Sequence, residues 1–181
     1  MYALKKFGAP KIIFLFLGIT LASYAAILIL ENSLAALSFP GILDRQYGFS
    51  YAQAYRQIDA YTAEAGTLYL YVQLADMAFL AGYGVFFAGL IVFLCGKLFP
   101  NRPNMTWLAL LGLAAAASDC LENIGLFAMI RIHPAPYPVV AALTSGMGVA
   151  KVILFFLCSV LSITGLAAWI LKVIRAHTVK N

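Results

Sequence analysis

Four apolar runs, at 12–37, 67–94, 106–130 and 139–171, decide most of what this chain can fold into. A helix needs about 20 apolar residues to cross the hydrocarbon core of a bilayer, and every run is at least that long. Of the 181 residues, 64% are hydrophobic and 10% charged, against roughly 45–50% and 25% in soluble domains. No soluble core of this size hides so much apolar surface, so lipid is the expected solvent. The reading is all-α: one polytopic membrane domain over 1–181, an antiparallel four-helix transmembrane bundle. An amphipathic helix is expected in the first outer loop, 38–66.

The formal charge of +5 does not point to nucleic acid, because the Lys and Arg residues sit at the ends of the apolar runs. Eight of them (Lys5, Lys6, Lys11, Lys97, Arg102, Lys172, Arg175, Lys180) fall on one side and three (Arg45, Arg56, Arg131) on the other. By the positive-inside rule both termini are cytoplasmic, and a cell inner membrane is the expected location. The apolar run 12–30 exceeds a signal-peptide core, so it reads as a retained first span. Cys95, Cys120 and Cys158 lie singly in apolar segments, which is the pattern of small buried hydrophobes and not of a disulfide framework or zinc site. No cofactor is implied.

Along the chain, Ser38-Phe39-Pro40-Gly41 should end the first helix. Apolar or aromatic residues at 51, 54, 55, 58, 61 and 62 then mark the loop helix, with Ser50 as N-cap. That helix either covers the bundle as a lid or runs on into the second span. Tyr69, Gln73, Asp76 and Tyr83 share one face of the second span. Lys97, Pro100, Arg102 and Pro103 form a tight turn into the third. The fourth run is longer than one crossing needs, and Thr144-Ser-Gly-Met-Gly148 suggests a bend near its start. His133, in a proline-rich turn, reads as a surface residue and not as a ligand.

The third span carries the unusual chemistry. Ala114-Ala-Ala-Ala-Ser118-Asp119-Cys120-Leu121-Glu122-Asn123-Ile124 puts two acids and an amide inside an apolar helix, spaced i, i+3 and i+4 on one face. An ionisable group at membrane depth costs at least ~2.5–3.5 kcal/mol, so such groups face protein or a wet cavity. Counting at 1.5 Å per residue, Asp76, Asp119, Glu122 and Lys151 all fall ~12–18 Å from the outer face, and Glu31 shallower at ~9 Å. Glu31 is read first as an interfacial carboxylate and second as a site residue.

Three deep acids, with Glu31 a fourth candidate, face a single lysine. The expected state pairs Lys151 with one acid and leaves another protonated or hydrogen-bonded by Asn123, Gln73, Tyr69 or Tyr83. Room then remains for a cation, a proton or a polar headgroup. The favoured reading is a pocket for a lipid-like or cationic amphiphilic small molecule. Membrane lipids are the expected partners, with a homodimer left open and no nucleic acid. The alternatives are an intramembrane enzyme using paired carboxyls as general acid and base, a proton-linked carrier, or a network that only glues helices. No H-E-x-x-H, no G-x-S-x-G and no histidine within a span support the enzyme.

The run Ser118-Asp119-Cys120-Leu121-Glu122-Asn123, with Asp76 and Tyr83 in the preceding span, resembles uncharacterised small bacterial four-span membrane proteins. These carry Asp-x-x-Glu-Asn in their third helix and have no assigned activity. In layout alone, four spans with a long first outer loop and acids in spans two and three, the chain is similar to the EXPERA class of sterol isomerases and sterol-binding receptors. It lacks the histidine those isomerases carry in their pocket. The resemblance therefore implies lipid binding in preference to isomerisation.

Overall fold

The structure, a computed structural model, describes residues 6–37, 41–135 and 137–178. The helix-ending turn expected at 38–41 lies, except for Gly41, outside the described residues, as do Lys5 and Lys180 of the charge count. Among the described residues the elements are helical throughout. Helix α1 spans Pro10–Ala36, α2 Tyr51–Asp59, α3 Ala63–Leu98, α4 Leu110–Ile132 and α5 Pro138–Thr178. Short 3-10 turns at Leu43–Arg45 and Pro103–Ala109 complete the chain. Four helical stretches, the third of them Pro103–Ile132, are long and apolar enough to cross a membrane.

Local chemistry accounts for the helix ends. Pro10 opens α1, where its missing N–H costs nothing. The Ser50 hydroxyl accepts from the Gln53 backbone N–H, and the Gln53 side chain accepts from the Ser50 N–H, a reciprocal capping box. Thr62 caps α3 by accepting from the Ala65 N–H at 3.2 Å. The break at 60–62 therefore separates α2 from α3, and the two do not run on as one helix.

Helix α3 is the centre of the assembly, packed on by α1, α4 and α5. Its seam with α4 is made of small residues. A Cβ at Gly84 would come within 2.6 Å of Ala116 Cβ, and one at Gly112 within 3.0 Å of the Gly84 carbonyl oxygen. Neither position tolerates a side chain at this separation, so the two backbones stay close.

The segment 41–59 folds back over one end of the bundle. Leu43, Phe49, Tyr55 and Ile58 bury themselves against Leu126, Met129 and Ala141. Polar ties hold it there: the Phe49 N–H donates to Ser145 Oγ at 2.8 Å, the Tyr137 N–H to Tyr55 OH at 3.0 Å, and Gln57 Nε2 to the Gly41 carbonyl at 2.5 Å. His133 joins this lacework, 2.5 Å from Asp59 Oδ1 at the exposed rim.

Helix α5 is unbroken through 144–148, where the sequence suggests a bend. Those residues serve packing instead: Thr144 fills the space left by Gly125, Ser145 holds the loop, and Gly148 faces the Glu122 carboxylate. At 41 residues α5 is ~60 Å long, twice the ~30 Å of a hydrocarbon core.

Candidate functional site

The polar residues of three helices meet below the folded-back loop. Helix α4 supplies Asp119, Glu122 and Asn123 from one face, and all three are almost wholly buried (3%, 0% and 1% exposed). Helix α5 brings Lys151 between the two acids, its ammonium 2.9 Å from Asp119 Oδ1 and 2.6 Å from Glu122 Oε2. Helix α3 brings Tyr83, whose hydroxyl donates to the other oxygen of Asp119 at 2.9 Å. About two turns earlier on α3, Asp76 accepts from Asn123 Nδ2 at 2.5 Å. Gln73 reaches the Asn123 carbonyl at 3.5 Å.

Gly148 makes the ion pair geometrically feasible. A Cβ there would displace the Glu122 carboxylate, so glycine at this position leaves the carboxylate its place against α5 beside Lys151. The bridging lysine then has a carboxylate on each side, the arrangement a charge needs when water is scarce.

A cavity of about 410 Å³ opens beside this cluster. Asp76, Asp119 and Lys151 form its polar end, joined by Asp44 from the loop. Phe79, Tyr83 and Phe155 supply an aromatic wall, with Tyr83 edge-on to both phenyl rings at 5.2 Å. Glu122 does not line the cavity; it holds Lys151 from behind. The volume lies within the range of small-molecule sites.

Asp44 enters the site without any signal from helical spacing. It sits in the 3-10 turn Leu43–Arg45, and its Oδ1 is buried with no hydrogen-bond partner among the described residues. Burial pushes the Asp44 carboxyl above its ordinary value; Lys151 and Arg45 pull it back, whereas Asp119 and Glu31 push it further up. The clue in the sequence is the apolar pair Ile42-Leu43 just before it, which docks the turn onto the bundle.

The other candidates lie around this centre. Glu31 is not part of the cluster: it pairs with Arg45, at 2.6 and 3.0 Å, where the loop crosses the end of α1. Tyr69 is fully buried in the patch of Ile27, Leu34 and Val72, with its hydroxyl at the backbone of Asp44. Buried acceptors remain open as well. Gln73 Oε1, Asn123 Oδ1 and Glu122 Oε1 have no hydrogen-bond partner among the described residues.

Taken together, Asp44, Asp76, Asp119 and Glu122 surround one lysine, because Arg45 is engaged by Glu31. Fully ionised, such a group would carry three excess negative charges in a low dielectric, so protons or a cation must compensate. Among the described residues no set of three or more His, Cys, Asp and Glu side chains is arranged to hold a metal ion. No protein-family model, curated protein or solved structure matches this chain.

Proposed function

We propose that this chain is a multi-pass protein of the cell inner membrane that binds a lipid-like or cationic amphiphile in the acidic cavity. Its four long helices cross in alternating directions with both termini cytoplasmic, so the cavity lies in the outer half of the bilayer. Lipid as the solvent is supported by the outer surface, where Phe14, Val139, Ile163 and Phe156 are each about two-thirds exposed or more.

One observation carries the functional reading. Asp44, Asp76 and Asp119 face the same aromatic-walled space; of the two cations lining it, Arg45 is paired with Glu31 and Lys151 is also claimed by Glu122. Helix glue does not need this: a membrane hydrogen bond between Ser or Asn side chains does the same work at about 0.6 kcal/mol without burying charge. An ammonium on an apolar body satisfies both parts, its charge at the carboxylates and its body along Phe79 and Phe155.

The test is retention. Purified protein is incubated with a membrane-lipid extract and with an alkylammonium amphiphile, and bound molecules are analysed by mass spectrometry. Retention unchanged in chemistry, and lost in Asp76→Asn and Asp119→Asn, supports binding. Conversion of the retained molecule would instead make the two cavity acids a general acid–base pair. Retention that survives both substitutions, or none at all, sinks the proposal and leaves a structural network.

A further inference from the structure

The opposite end of the molecule carries the reverse electrostatic pattern. All seven acids of the chain, at positions 31, 44, 59, 64, 76, 119 and 122, lie in the half containing the cavity. At the other end stand Lys6, Lys11, Lys97, Arg102, Lys172 and Arg175, and among the described residues none of these six is in an ion pair. Lys172 caps α3 by donating to the Lys97 carbonyl at 2.8 Å, which occupies its charge at the helix C-terminus. The side chains of Lys97, in the last turn of α3, and of Arg102 make no such hydrogen bond among the described residues. They line a groove of about 370 Å³ between the end of α3 and the turn that follows, with Gly96 leaving its floor open.

A second groove lies beside the first. The wall residue Phe93 of the first is also a wall of the second, of about 390 Å³, lined by Phe14, Leu17, Phe86, Leu90 and Trp169 with no polar side chain. Phe93 links the two chemically: the Lys97 ammonium lies 5.6 Å over its ring, and Trp169 meets it edge-on at 5.2 Å. From Phe93 to Phe86 the apolar channel descends ~10 Å, a large part of the ~15 Å thickness of one leaflet.

A basic recess that shares the Phe93 wall with an apolar groove has the polarity of one kind of ligand. We propose that this end holds a phospholipid of net negative headgroup, its phosphate at Lys97 and Arg102 and an acyl chain along Phe93, Leu90 and Phe86. Simple topology-setting charge would require neither the recess nor an apolar groove sharing its wall. The inference rests on the membrane reading of the fold and is independent of the acidic cavity.

Trp169 lies in the channel, and Trp107 is the only other tryptophan. The full chain with Trp107→Phe is reconstituted with lipids carrying brominated acyl chains, which quench a neighbouring indole on contact. Half-maximal quenching of Trp169 is expected at a severalfold lower mole fraction of phosphatidylglycerol than of phosphatidylcholine. Lys97→Gln and Arg102→Gln should each shrink that preference by about fivefold, whereas Arg175→Gln, outside the recess, should leave it unchanged. Native mass spectrometry of the unsubstituted chain provides a second measurement and should retain phosphatidylglycerol over phosphatidylcholine. Equal quenching by both lipids, an equal effect of Arg175→Gln, or loss of the preference on adding inorganic phosphate overturns the site. Failure to reconstitute at all would instead overturn the membrane reading.

Discussion

Helices α3 and α5 have the same mean hydropathy, 2.3 over their most apolar windows, yet 67% of the α3 window is buried and only 11% of the α5 window. The difference lies in which residues turn inward. Helix α3 buries large side chains (Tyr69, Leu80, Phe87, Leu94) among three neighbours. Helix α5 buries Ala141, Thr144, Gly148, Cys158 and Ser162, all small, and turns Ile153, Phe156, Val160 and Ile163 outward. On the proposed membrane reading, lipid is as apolar as leucine, so burial confers no hydrophobic advantage on α5 and small residues suit its interface by letting backbones approach. Hydropathy therefore reports the solvent a helix tolerates and not the neighbour it has.

The largest effect expected from this contrast comes from the one charge on the inner side of α5. Lys151→Met leaves Asp119 and Glu122 buried without a counter-charge and should cost ~3–5 kcal/mol in an unfolding titration in mixed micelles. Adding Asp119→Asn and Glu122→Gln should recover most of it. A cost near zero for the single variant would mean that the lysine is not the keystone of this layer. Next, Leu94→Ala on α3 should cost ~2–5 kcal/mol, because Leu94 is 3% exposed and packs on Gly165 of α5.

Smaller effects sharpen the comparison. Tyr83→Phe removes one buried hydrogen bond to Asp119 and should cost ~0.6–1.7 kcal/mol, measured in the same titration. The loop adds a pH-dependent contribution. The Asp44 carboxyl feels the charges of Lys151 on α5, Asp119 on α4, Arg45 beside it and Glu31 on α1, and, chiefly through burial, it binds a proton more tightly when docked than when undocked. Docking is thus favoured fully below its ordinary value of 3.8 and weakens as pH rises through the raised value. Amide exchange at 41–50 should speed up with pH beyond the intrinsic rate, and Asp44→Asn should flatten that dependence. Exchange that tracks only the intrinsic rate in both proteins would contradict this account. Last, Ile163→Ala, at a position 67% exposed, should change stability by no more than ~0.5 kcal/mol. A cost matching that of Leu94→Ala would show that α5 has a partner on its outer face and break the contrast.

Much of this arrangement is legible in the chain. The apolar runs locate the four long helices, which extend past them where Thr62 caps, where Pro103 starts a turn, and by seven residues at the far end, to Thr178. The 119, 122, 123 spacing gives a shared face because α-helical geometry allows nothing else. The pairings are not legible in the same way. Equal depth places Lys151 level with three acids, but only the lateral arrangement of helices selects Asp119 and Glu122 over Asp76. Asp44 has no period to betray it, and Gly148 reads as a bend until the carboxylate opposite is seen.

By itself the amino-acid order determined four long apolar helices and the shared face of Asp119, Glu122 and Asn123, because those follow from side-chain polarity and local helical geometry. Tertiary structure alone decided which charges touch, that a loop acid joins them, and that Glu31 is drawn away by Arg45. Those outcomes depend on rotation and separation between helices, set by close approach at Gly84, Gly112 and Gly148, and no one-dimensional pattern encodes them.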